Sequence, residues 1–248
     1  MKGRIFILIL GAAVFQLSCT SSFQTQTIQF SNNRIYASGT VNEALQKKML
    51  PYADSVNKSM NEIVGICDKT LDKKQPESTL GNFIADAMLF GAKEKYQITI
   101  DAAFVNYGGV RIAQMAAGPI TKGKIFELMP FDNLIIVQKI KGDVLQQFLD
   151  LIASKGGWPL AGISMGIKNK KAVAVKINGE LLDHNRYYSI ANSDYVASGG
   201  DNAEMIRTTP QLSKGYLLRD AIFDYIKTFQ QLGKPIVAVE EKRVVYVE

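Results

Sequence analysis

Apolar residues recur along this chain with two different periods, and the changes between them mark its elements. Leu80, Phe83, Ile84, Ala87, Met88 and Phe90 follow i, i+3, i+4 spacing. That spacing predicts a helix over Leu80–Ala92, capped by Ser78 or Thr79. Leu145, Phe148, Leu149 and Ile152 line one face of a second helix, with Asp143 as its expected cap. Leu217, Leu218, Ala221, Ile222, Tyr225 and Phe229 define a long last helix, capped by Ser213 and stopped by Gly233 and Pro235. A helical stripe through Leu50, Val56, Met60, Ile63 and Val64 runs over Val41–Ile66, interrupted by Pro51. Ile98–Val105, Leu134–Ile140, Ala172–Ile177, Tyr187–Asn192 and Arg243–Val247 read as strands, and Ile28–Gly39 as an edge strand. Asn178-Gly179 predicts a tight hairpin turn. The elements mix without a βαβ rhythm, so the fold class is α+β rather than a doubly wound parallel sheet. No repeat, P-loop or dinucleotide fingerprint is present.

The N-terminus reads as an address. Lys2 and Arg4 precede an apolar run of 11 residues, Ile5–Phe15. That is too short for a membrane span, which needs about 20 residues, but fits a signal peptide. Leu17-Ser18-Cys19 resembles a lipobox, although Gln16 stands where Leu or Val is usual. The expected organisation is a signal peptide over residues 1–18, a tether and edge segment over 19–40, and one domain over 41–248. Cys19 would carry the lipid and hold an exported protein on the membrane, facing the periplasm or cell envelope.

Composition narrows the chemistry. The formal charge is +6, and without Lys2 and Arg4 it is +4, from 27 basic and 23 acidic residues. Lys168, Lys170, Lys171 and Lys176 are interrupted by small apolar residues, as solvated strand faces are, so no nucleic-acid partner is expected. One histidine, His184, and two cysteines, Cys19 and Cys67, exclude a Cys/His zinc cluster and a disulfide framework. Cys67 ends the apolar run Ile63–Cys67 and reads as a buried, inert thiol. His184 reads as a surface residue.

Three loops at strand ends carry candidate chemistry. Asn106-Tyr107-Gly108-Gly109-Val110-Arg111 follows a buried strand, with paired glycines for close approach and a guanidinium suited to phosphate. Pro130-Phe131-Asp132-Asn133 sets an aromatic ring beside polar groups. Asn192–Asp201 holds Tyr195 ahead of Gly199-Gly200-Asp201. Each alone is an ordinary turn. Together they supply what stacks a flat base, binds sugar hydroxyls and holds a phosphate.

The order and spacing of four motifs resemble the 5′-nucleotidase C-terminal domain family from about Val41 to the C-terminus. Glu77-Ser78-Thr79-Leu80-Gly81-Asn82-Phe83-Ile84-Ala85-Asp86-Ala87-Met88 is similar to its opening "E-S-x-L-G-N-L-x-A-D-A-M". Asn106–Arg111 resembles "N-x-G-G-I-R", and Pro130–Asn133 resembles "P-F-G-N" with Asp132 for the glycine. Gly199-Gly200-Asp201 resembles "G-G-D-G-Y" without the final pair. The resemblance implies a layered α/β/β/α domain with mixed sheets and flanking helices. It implies that Phe131 and Tyr195 sandwich a nucleobase, with Tyr195 where the family usually has Phe. It places Asn106, Asn133 and Gly156 near the base, Arg111 on the phosphate side and Asp201 on ribose hydroxyls. Family members often carry a further Arg before the first motif, where this chain has Lys73, Lys74, Gln75 and Pro76.

Family enzymes also carry a metallophosphatase domain whose two metals generate the attacking water. No cofactor and no catalytic residue is expected in this chain, and divalent metals belong to a partner metallophosphatase. Two functions follow: the nucleotide-recognition part of a split hydrolase in nucleotide catabolism, or a non-catalytic lipoprotein that binds nucleosides or nucleotides.

Overall fold

A computed structural model describes residues 42–248, so the expected signal peptide, Cys19 and the expected Ile28–Gly39 strand lie outside the described residues. The chain divides into two units, Met1–Gln46 and Lys47–Glu248, and every strand described belongs to the second.

The helix expected over Val41–Ile66 is shorter and differently packed. Helix α1 spans Glu43–Met60 and none of its residues is buried. Pro51 sits inside it. Pro51 lacks an amide hydrogen, but on an exposed helix the orphaned carbonyl is left to water. Ile63 and Val64 do not extend its stripe. They open strand β1 (Ile63–Cys67), which pairs antiparallel with β5 (Gly118–Thr121).

A five-stranded mixed sheet carries the fold. It is built from β3 (Ala102–Phe104), β6 (Leu134–Lys141), β7 (Leu160–Ala161), β11 (Tyr187–Ser193) and β12 (Gln211–Leu217), in the order β12-β6-β11-β3-β7. Period-two alternation divides its side chains between two cores. Ala103 and Val105 face one core, while Ala102 and Phe104 face the other.

Helices α2 (Thr79–Tyr96) and α7 (Leu218–Gln231) cover the first face with Phe83, Ile84, Met88 and Ile222. The Ser78 hydroxyl caps α2 by accepting from Gly81 N–H at 3.1 Å. On the second face, α4 (Gly142–Ser154) contributes Leu145, Phe148, Leu149 and Ile152. It shares that core with a four-stranded sheet, ordered β10 (Glu180–Leu181), β9 (Lys171–Ile177), β8 (Ile163–Lys168) and β13 (Val244–Tyr246). Mixed sheets with flanking helices are therefore the observed architecture. Asn178 (φ 50°) and Gly179 (φ 87°) both adopt the left-handed turn conformation that their hairpin requires.

Two caps fall elsewhere than expected. Lys141, not Asp143, precedes α4, and Asp143 lies in the first turn, where it pairs with Lys141 at 3.0 Å. Ser213 lies inside β12 opposite Ile136, and α7 begins only at Leu218. Cys67 is 2% exposed, and burial pushes its thiol pKa up, which suits an inert side chain. Lys168, Lys170, Lys171 and Lys176 are exposed, and so is His184.

Candidate nucleotide-binding cleft

Sheet topology alone gathers the three loops. Strands β11 and β3 run parallel, with Ala191 opposite Ala103, so their C-terminal ends leave the sheet on one edge. Strand β6 runs antiparallel to β11, with Ile135 opposite Ser193, so its N-terminal end meets them there. Asn106–Arg111, Pro130–Asn133 and Asn192–Asp201 are the segments at those ends. They enclose a cleft of about 310 Å³ lined by Asn106, Gly108, Gly109, Arg111, Phe131, Asn133, Tyr195 and Asp201. That volume lies at the small end of the range for small-molecule sites.

Phe131 and Tyr195 each remain 48% exposed, an unusual amount for large aromatic side chains next to a well-packed core. Both rings line the cleft. The Tyr195 hydroxyl also has structural work. It donates to Asp201 Oδ1 at 3.3 Å and accepts from Asp201 N–H at 3.2 Å. A phenylalanine at this position has no hydroxyl to make either bond.

Asp201 holds the left-handed backbone conformation (φ 54°), and Asn202 follows it (φ 70°). Non-glycine residues adopt this region at some cost, Asp and Asn least. Tyr195 and Asn106 oppose that cost, since Asn106 Nδ2 donates to Asp201 Oδ2 at 2.7 Å. A carboxylate has about four lone-pair sites, so Asp201 keeps capacity for two more donors, as a vicinal diol would supply.

The glycines matter through the space they leave. A Cβ on Gly109 would stand 2.7 Å from Asn106 Oδ1, and one on Gly200 would stand 2.6 Å from the Tyr195 ring. Neither position admits a larger residue without moving a side chain of the site.

Arg111 reaches the cleft from the first loop. Its guanidinium carbon lies 5.5 Å from the Phe131 ring centroid, and Nη1 donates to Gly108 O at 3.2 Å. Lys73 stands beside it. The Lys73 ammonium donates to Val110 O at 2.8 Å and lies 4.0 Å over the Tyr107 ring. Partial burial and the Arg111 charge both lower its pKa. Of the residues that precede the first motif, Lys73 is held next to the Arg111 loop by the Val110 carbonyl and the Tyr107 ring. Lys74 pairs with Glu240 at 2.6 Å, and Gln75 Nε2 donates to Lys155 O and Gly157 O, each at 2.7 Å. Tyr107 had no individual signal in the sequence, because its pairing with Lys73 spans more than 30 positions.

Gly156 is not among the cleft-lining residues. It sits in the loop after α4 at φ 87°, against the Gln75 side chain. The neighbouring Lys155 ammonium donates to Asn202 Oδ1 at 3.1 Å, tying this loop to the Asp201 loop. Among the described residues no three His, Cys, Asp or Glu side chains cluster to hold a metal ion, so these residues do not fit a two-metal centre.

The α+β domain thus gathers on one small cleft two open aromatic faces, a guanidinium and a tethered carboxylate. Residues 55–208 match the family described as 5′-nucleotidase, C-terminal domain, and the chain belongs to that family. The trifunctional nucleotide phosphoesterase protein YfkN of Bacillus subtilis is 34% identical over 181 residues, which cover 64% of this chain and 12% of that one. Protein UshA of Yersinia enterocolitica is 30% identical over 152 residues, 59% of this chain and 28% of its own. The fold is shared with the 5′-nucleotidase precursor of Thermus thermophilus, with a TM-score of 0.71 at 24% identity over 84% of this chain and 44% of that one. The chain thus spans less than half the length of each of these proteins.

Proposed function

We propose that this chain is the nucleotide-recognition component of a 5′-nucleotidase-type hydrolase, exported and held on the membrane by a lipid on Cys19. Phe131 and Tyr195 stack the base, Asn133 and Asn106 meet its edge, and Asp201 takes the ribose hydroxyls. Arg111, with Lys73 beside it, faces the phosphate. Hydrolysis belongs to a separate metallophosphatase chain, which supplies the metals. The convergence of two open rings, Arg111 and a pre-bonded Asp201 on one cleft supports this reading most directly.

Calorimetric titration of the full chain tests it. Adenosine and AMP should both bind saturably. Charge-assisted hydrogen bonds contribute about 1.5–3 kcal/mol, so Arg111→Ala should weaken AMP by roughly tenfold or more and leave adenosine nearly unchanged. No heat with nucleosides, nucleotides or UDP-sugars would overturn the proposal. Binding without any gain of hydrolysis when a metallophosphatase chain is added would favour the non-catalytic binding lipoprotein instead.

Gly200→Ala gives a second check on the same site. The added methyl meets both the ring and the carbonyl oxygen of Tyr195. Displacing one stacking face should cost about 1–2 kcal/mol, seen as roughly tenfold weaker adenosine binding, with a smaller change in melting temperature. Unchanged affinity would place Tyr195 outside the base site.

A further inference from the structure

The loop that carries Phe131 is held from behind by the first turn of α7. Arg219 is only 8% exposed, although it bears a charge. Its Nη1 donates to Met129 O at 3.1 Å and to Phe131 O at 3.5 Å. Its Nη2 pairs with the Asp132 carboxylate. The guanidinium carbon lies 4.2 Å from the Phe126 ring centroid. One residue earlier, Leu218 N–H donates to Asn133 O at 2.9 Å. Three backbone carbonyls and one side chain of residues 129–133 are thus tied to the start of one helix.

A buried guanidinium is tolerated only when its donors are satisfied. Here the loop supplies those acceptors, so arginine and loop hold each other in place. The Asp132 side chain is 77% exposed, so packing does not account for it. Its contact is with Arg219.

We propose that Arg219 is a positioning residue of the nucleobase site, fixing the Phe131 loop before ligand arrives, with Asp132 as its outer latch. The proposal rests on the reading that Phe131 stacks a base. A loop already ordered in the free protein need not be ordered by the ligand, and that difference appears as affinity. Arg219 itself does not line the cleft.

The test uses the full chain and the variants Arg219→Gln, Arg219→Lys and Asp132→Asn. The first readout needs no ligand: the hydrogen-exchange rate of the Leu218 amide, which is bonded to the loop. Loosening the loop should raise that rate about tenfold in Arg219→Gln and about threefold in Asp132→Asn, with amides in the middle of α4 unchanged. The second readout is adenosine affinity, expected to fall by about tenfold in Arg219→Gln and to recover in part in Arg219→Lys. If Arg219→Gln does not fold, the exposed Asp132→Asn decides alone. Wild-type exchange and wild-type affinity in Asp132→Asn, together with either result or no fold in Arg219→Gln, would overturn the latch. Wild-type exchange in both variants would overturn the positioning role. If the wild-type chain takes no adenosine, the nucleobase reading falls, and the exchange rates still decide whether Arg219 fixes the loop.

Discussion

Phe131→Ala should weaken adenosine binding by about 30-fold or more and leave the protein folded. Stacking of a base on an aromatic ring is worth roughly 1–3 kcal/mol by alanine substitution. The upper part of that range applies where a ring closes one side of a sandwich, because its loss also lets water onto the base. The ring is 48% exposed, so truncation removes little packing from the core. Thermal unfolding should therefore shift by no more than about 4 °C, the change expected for roughly 0.5–1 kcal/mol in a domain of this size. Titration of adenosine and AMP into the variant separates two cases. If both weaken together, Phe131 contacts the part they share. If only AMP weakens, Phe131 acts through Arg111, whose guanidinium carbon sits 5.5 Å from the ring centroid, and the sandwich is wrong.

The cleft was legible because its residues lie in short runs at strand ends, where glycine, aromatic and polar residues coincide. Asn106, Arg111, Phe131, Asn133, Tyr195 and Asp201 all line one cavity, as the order of the motifs implied. What gathers them was not written in any single run. It depends on β3 and β11 being parallel and β6 antiparallel, a fact of pairing rather than of periodicity. Arg219 carried no mark in the sequence for a related reason, and Lys73 stood out only as one of the residues where family members often carry an Arg. Each acts on a loop distant in sequence, through backbone carbonyls that no side-chain pattern reveals.

The misread elements have physical causes too. Ile63-Val64-Gly65-Ile66-Cys67 is a short apolar run, and such a run does not distinguish a strand from the end of a helix. Gly65 shows the strand's constraint, since a Cβ there would come within 2.7 Å of the Ile226 side chain on α7. Strand β12 is exposed over its first five residues, so it lacks the alternation that marks a half-buried strand. Ser213 therefore looked like a helix cap. At α4 the backbone turns earlier than the side chains indicated. Gly142 lies against the Asp183 carbonyl, where a Cβ would stand 2.1 Å away, so only glycine lets the helix start there.

The two departures from the family motif each add a bond. Asp132, where the motif it resembles has glycine, pairs with Arg219, and Tyr195, where that resemblance implies phenylalanine, bonds Asp201. The first ties a cleft loop to its supporting helix, and the second closes a cleft loop on itself. Glycine and phenylalanine at these places would make neither bond.

The most recognisable stretch of the sequence, Glu77–Met88, contributes to stability rather than to the cleft, and Glu77→Ala should destabilise the domain by about 3 kcal/mol. Glu77 is 8% exposed. Its Oε1 accepts from Asn82 Nδ2 and from Glu241 N–H, both at 2.7 Å, and its Oε2 accepts from Arg243 N–H at 2.9 Å. Asn82 also donates to Val239 O at 2.8 Å. One turn on, Asp86 takes the Arg243 guanidinium in a two-pronged pair at 2.7 and 2.9 Å. These side chains stitch the C-terminal segment, which ends in β13, onto α2. Alanine at 77 removes one carboxylate and strands three donors. Each unsatisfied buried group costs about 1–3 kcal/mol, partly relieved here because Glu241 lies at the surface. At roughly 2–4 °C per kcal/mol, the melting temperature should fall by about 6–12 °C. Hydrogen exchange should rise first in residues 239–246, because that segment loses its tie while α2 keeps its Ser78 cap. Below its melting temperature the variant should still bind adenosine with near wild-type affinity, since Glu77 does not line the cleft. A loss of affinity without a loss of stability would show instead that the motif serves the ligand, and would move Glu77 from scaffold to site.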